Sequence, residues 1–247
     1  MSSGFSTYVD SPYISILAGR ASVAIETSFA GKNYALYKFP TRIYTHSIRI
    51  SPKTYVVRGI DTSVKKTDQI FVKANSETNQ VTREKNVSET NGDAGLSTDG
   101  MLSYDPINHL IIYPYFYENK FLCMDTNLNL VYTGRTIDNT KSLPIKSTVN
   151  KNVLTTTTPK RIVNNYSLIS QGYLFINSGI KANNEDNKAY QDNSIVDIYE
   201  TKTGAYKGTF YIPEFNGEKM RTFNIIDEGL IAIYKSKVVK YKFSIRI

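Results

Sequence analysis

Short runs of Val, Ile, Leu, Phe and Tyr recur along this chain, alternating with polar residues and broken by Gly, Asn, Asp, Ser and Thr. The clearest case is the last one. Val239, Tyr241, Phe243, Ile245 and Ile247 alternate with Lys240, Lys242, Ser244 and Arg246. A period of two is what a half-buried strand requires, because successive side chains face opposite sides of a sheet. The same reading predicts strands at 13–18, 21–28 and 34–39, then at 54–60, 69–73 and 80–87. Further strands are predicted at 109–113, 121–124 and 130–136, then at 173–176, 195–199 and 206–212. The last group is 222–226, 229–235 and 237–247. Thr, Val, Ile and Tyr crowd into short runs while Ala and Leu are sparse, which speaks against a helical bundle.

The turns repeat as well. An acidic residue followed by Thr opens them at Glu77-Thr78, Asp125-Thr126 and Glu200-Thr201. Such side chains bond nearby backbone amides and stabilise tight turns, so the repeat is explained locally. A strand–strand–turn–strand unit recurring at roughly 40–50 residues is the sign of propeller blades. One blade cannot bury both faces of its sheet alone, and stacking blades around an axis solves this. The fold class is therefore all-β, a β-propeller of about five to six antiparallel blades forming one domain over residues 1–247. Blades are expected near 41–91, 99–142, 160–215 and 216–247, with a further strand group at 8–40. The last group holds three strands, so the ring is either completed by an N-terminal strand or lacks an N-terminal portion. The polar stretches 86–98 and 138–158 read as inter-blade connections.

Composition adds limits. The 247 residues include 19 Tyr and 11 Phe but no Trp, a strand-favouring aromatic content. The net charge is +8. Its cations are scattered, with Lys65-Lys66 and Lys160-Arg161 the tightest pairs, which speaks against a nucleic-acid partner. A single cysteine, Cys123, excludes an internal disulfide and sits in an apolar run as a small buried hydrophobe. No segment has the apolar length of a membrane span, and Met1-Ser2-Ser3-Gly4 lacks the features of a signal peptide.

The C-terminal half carries a resemblance. Gly172-Tyr173-Leu174-Phe175-Ile176, Val196-Asp197-Ile198-Tyr199, Gly208-Thr209-Phe210-Tyr211-Ile212-Pro213 and Gly229-Leu230-Ile231-Ala232-Ile233-Tyr234 follow one another in blade-like order. In blade style, over about residues 100–247, the chain resembles the TolB-like six-bladed propellers of bacterial lipoproteins. That resemblance implies a periplasmic or cell-surface location. The lipidation cysteine of such proteins has no counterpart near the start of this chain.

Chemistry is thin in the sequence. His46 and His109 are the only histidines, and neither has a second His or Cys at metal-ligand spacing. No nucleophile elbow, phosphate-binding loop or dinucleotide fingerprint occurs, and no cofactor is indicated. Asn183, Asn184, Glu185, Asp186 and Asn187 with Asp192 offer oxygen ligands without the ordered register of a calcium loop, so a solvated loop is expected. The aromatic run Tyr113-Pro114-Tyr115-Phe116-Tyr117 is the most suggestive feature. Exposed rings there would stack on sugars or grip a peptide, whereas alternate rings could instead fill the space between blades. Tyr113, Tyr115 and Tyr117 with Arg42, His46, Arg49 and Arg58 form the candidate binding set. The function expected is non-enzymatic binding of a protein, peptide or glycan through loops on one face. The alternative is a polysaccharide- or peptide-processing enzyme with its site at the channel mouth.

Overall fold

A computed structural model describes residues 5–31, 33–62, 68–138, 140, 147–150, 153–156, 161–183, 185–227 and 229–242, with 147–150 and 153–156 described by backbone alone. Blade 1 is β1 (Phe5–Asp10), β2 (Tyr13–Ala18), β3 (Val23–Ser28) and β4 (Tyr34–Lys38). Blade 2 is β5 (Thr41–Ser51), β6 (Thr54–Asp61), β7 (Gln69–Asn75) and β8 (Val81–Arg83). Blade 3 is β9 (Ser103–Asp105), β10 (Leu110–Pro114), β11 (Lys120–Asp125) and β12 (Leu130–Arg135). A hairpin of β13 (Ser147–Asn150) and β14 (Val153–Thr156) follows. Blade 4 is β15 (Asn164–Ser170), β16 (Tyr173–Ser178), β17 (Asn193–Glu200) and β18 (Tyr206–Pro213). The short α1 (Asn187–Asp192) lies between β16 and β17. Blade 5 is β19 (Thr222–Ile226), β20 (Gly229–Ile233) and β21 (Val238–Lys242). Each sheet is an antiparallel meander, and the first strands of successive blades touch one another. The protein is a five-bladed β-propeller in its described residues.

Two expectations change. The N-terminal strand does not complete the last blade: β1 pairs with β2 from Phe5↔Ala18 to Asp10↔Tyr13, as the first strand of blade 1. The 138–158 stretch is not purely a connection, since it holds the β13–β14 hairpin.

Four hydrophobic clusters seal the four interfaces between consecutive blades. Leu17, Tyr44, Tyr55 and Val57 lie between blades 1 and 2. Ile48, Val56, Phe71, Ile111 and Tyr113 lie between blades 2 and 3. Ile112, Phe121, Cys123, Leu174 and Tyr199 lie between blades 3 and 4, and Phe175, Val196, Phe223 and Leu230 between blades 4 and 5. The central strands read as continuous apolar runs because both faces are buried. In β6, Tyr55 and Val57 point to blade 1 while Val56 points to blade 3. Burying one such side chain is worth about 1.5–3 kcal/mol, so these runs dominate the fold's stability. The remaining face of blade 1 joins none of these clusters, and Val9, Tyr34 and Leu36 on it are exposed.

Strand direction sorts the connections into two ends. Tight turns gather at one end, including 52–53, 76–80, 106–109, 126–129 and 171–172. The long connections 84–102, 136–163, 179–192 and 214–221 all leave from the other, together with the aromatic segment 115–119.

Candidate functional site

Four of the seven candidates, Tyr113, Tyr115, His46 and Arg58, meet at the interface between blades 2 and 3, while Tyr117 and Arg42 lie at the long-loop end and Arg49 faces blade 1. Tyr113 and Tyr115 are 0% and 1% exposed, inside the cluster between blades 2 and 3. Of the two readings of the aromatic run, the filling of inter-blade space holds for these two rings, so they are not surface binding residues: β10 is a central strand, and Tyr113 on it and Tyr115 just past its end pack between blades 2 and 3. Tyr117 is half-buried beside Phe116 at the long-loop end. Arg42 is exposed at that same end, at the start of β5.

Arg58 is also core, at 1% exposure. β6 turns it toward blade 3, where its guanidinium lies 4.8 Å from the Tyr113 ring centroid and 5.4 Å from that of Phe71. Nη1 donates to the Thr98 carbonyl at 2.7 Å and the Tyr113 hydroxyl at 2.6 Å, and Nη2 to Thr98 Oγ1 at 2.7 Å. Burial drives the Tyr113 phenol far above its ordinary pKa, so it stays protonated as a fixed dipole. Arg58 thus bolts blade 2 to the connection before blade 3.

His46 borders the same interface. Its Nε2 lies 2.8 Å from Asp99 Oδ1, and its ring packs near Tyr113 and Phe116. Burial works to raise the Asp99 pKa. The hydrogen bond and charge of His46, with the Gly100 amide, prevail and hold it below the usual range. Arg49 points the other way, toward blade 1, because it sits an odd number of residues along β5 from His46.

His109 lies in a tight turn with φ of 55°, its Nδ1 3.1 Å from the Tyr104 hydroxyl. The two histidines therefore occupy different ends of blade 3's surroundings and share no substrate-sized space. Cys123 is fully buried, and burial pushes its thiol up to about 11. In the acidic segment, Asp186 caps α1 by accepting from the amides of Lys188 and Ala189. Asn184 lies outside the described residues. No group of three metal-ligating side chains occurs among the described residues.

Two carboxylates, Glu26 and Asp197, carry more chemistry than the sequence reading assigned them. Glu26, in β3, is 8% exposed and accepts from Tyr55 and Ser76 at 2.6 Å each, with Lys53 bonded to its other oxygen. Asp197 lines a cavity of about 100 Å³ with Asp138 and Glu185. Burial, helped by the charges of Glu185 and Asp138 and opposed by a bond from Thr209, pushes the Asp197 carboxyl up to about 6. A signal was present in the sequence: Glu26 and Asp197 are lone acids inside apolar strand runs.

No protein-family model and no curated protein sequence matches the chain. Similarity to solved structures is broad. Hydrazine synthase of Kuenenia stuttgartiensis is similar at a TM-score of 0.53 and 10% identity, over 91% of this chain and 53% of that one. KlHsv2 with a loop replaced by a Gly-Ser linker gives 0.52 and 11%, over 95% and 63%. The β-propeller domain of the Trilobed protease from Pyrococcus furiosus gives 0.50 and 11%, over 97% and 85%. The chain thus spans about half of the hydrazine synthase chain. Identities this low show the propeller fold and nothing finer.

Proposed function

We propose that this protein is a non-enzymatic binding propeller that holds a protein, peptide or glycan on its long-loop end. One observation carries the reading: connections 84–102, 136–163, 179–192 and 214–221 all leave the same end, while the opposite end is closed by tight turns. Loops held by a rigid scaffold are where binding residues concentrate, because they vary without disturbing the core. Half-buried Phe116 and Tyr117 and exposed Arg42 stand at that end. The blade-style resemblance to TolB-like propellers fits this reading, as does a periplasmic or surface location. The enzyme alternative has no comparable support, since His46 and His109 face separate surroundings and the Cys123 thiol is inert.

Peptide-phage selection and a glycan array supply binders, and hydrogen-exchange mass spectrometry of the bound protein locates them. Protection confined to 84–102, 115–119 and 179–192 is the expected result. Failure of every binder from both sources to protect these long connections, whatever else it protects, overturns the proposal.

A further inference from the structure

At the opposite, tight-turn end, blades 1 and 2 enclose a cavity of about 460 Å³ lined by Tyr13, Ile14, Glu26, Asn33, Arg49 and Lys53 among others. That volume falls within the roughly 300–1,000 Å³ of small-molecule sites. The inner wall is held in place. Lys53 and Glu26 are ion-paired, and Tyr55 and Ser76 fix the carboxylate from the core side. Arg49 enters from β5 with its side chain only 10% exposed. Its Nη2 donates to Asp10 at 3.0 Å, but its Nε is buried with no hydrogen-bond partner.

The two cations here are already matched, Arg49 with Asp10 and Lys53 with Glu26, and the exposed Glu77 carboxylate lines the cavity beside them. An anionic ligand would have to break one of these pairs and meet Glu77. A neutral ligand rich in both donors and acceptors would not. The mouth adds a flat apolar surface, since Tyr13 is 58% exposed beside Ile14 and Pro52. Polar neutral partners stand around it in Ser15, Thr27, Ser28 and Asn33. An amphipathic ring with one apolar face and a rim of hydroxyls fits this set. We propose that the cavity binds a neutral sugar ring, its hydroxyls meeting Glu77, Asn33 and the Arg49 guanidinium and Tyr13 stacking on its apolar face. The site is separate from the long-loop end, so it stands or falls independently of the reading above.

The test uses glucose, galactose, mannose, N-acetylglucosamine and their β-linked disaccharides, at up to about 20 mM, where weak sites fill. Amide-shift mapping is expected to show at least one of them moving Tyr13, Ile14, Asn33 and Lys53. Tyr13→Ala and Arg49→Lys should each weaken that binding about tenfold or more. Tyr13 is exposed, so Tyr13→Ala keeps the parent's thermal melt and decides the matter alone if Arg49→Lys folds poorly. No shift with any sugar overturns the proposal. So does binding that survives Tyr13→Ala, or the same amides moving instead with acetate or a blocked dipeptide.

Discussion

Thr201, in the β17–β18 turn of blade 4, donates its hydroxyl to Asp105 Oδ2 of blade 3 at 2.5 Å. Asp105 is fully buried and also accepts from Asn108. Thr201 is therefore an inter-blade latch as well as a turn former, whereas the Thr78 hydroxyl of the equivalent blade 2 turn accepts from the Gln80 amide within its own turn. Counterparts recur: Ser76 of blade 2 bonds Glu26 of blade 1, and Lys73 of blade 2 bonds the Thr126 carbonyl of blade 3 at 2.8 Å.

Burial works to raise the Asp105 pKa, but bonds from Thr201 and Asn108 hold it below the usual carboxylate range. A depressed carboxyl contributes stability above its unfolded pKa and loses it as pH falls from about 4. Thr201→Val keeps the shape and removes the donor. It should cost about 1–3 kcal/mol at pH 7 by urea unfolding, with the gap narrowing below pH 4. Thr201→Ser should restore most of it.

Arg58→Lys at the blade 2–3 bolt should lose on the order of 3 kcal/mol, because an ammonium cannot make three directed bonds while lying against two rings. Tyr113→Phe removes one of those bonds and should cost about 1 kcal/mol. Equal thermal melts for Arg58→Lys and the parent would contradict the bolt.

Asp197 carries the opposite pH signature. Its folded pKa of about 6 lies above the unfolded value, so its ionisation subtracts stability as pH rises from about 4 to about 6. Asp197→Asn keeps an acceptor for Thr209 and should stabilise the protein by on the order of 1–2 kcal/mol at pH 7, but little at pH 4. A variant less stable than the parent at pH 7 would refute this.

Lys53 occupies its turn with φ of 63°, a conformation that favours glycine. Its place there is explained by the ion pair to Glu26, whose pKa stays low because bonds from Lys53, Ser76 and Tyr55 outweigh burial. Relief of the turn in Lys53→Gly roughly cancels the added chain entropy of glycine. The lost pair should then show as about 1–2 kcal/mol at pH 7, fading as pH drops below about 4.5 and Glu26 is protonated in both proteins.

The residues by themselves determined the strands, their grouping into blades and the all-β class. Those features follow from periodicity and turn chemistry, which act between neighbours in the chain. Blade edges at 41, 103 and 164 fall within a few residues of the sequence reading. β1, β9 and β15 were less legible, being inner strands with mixed polar faces. Only the tertiary structure decided which side of each strand meets which blade. One residue of register sends Arg49 to the blade 1–2 cavity and His46 to Asp99, and it buries Tyr113, a ring the sequence left open between surface and inter-blade core. Contacts such as Thr201–Asp105 and Lys53–Glu26 join residues far apart in sequence, so no local pattern encodes them.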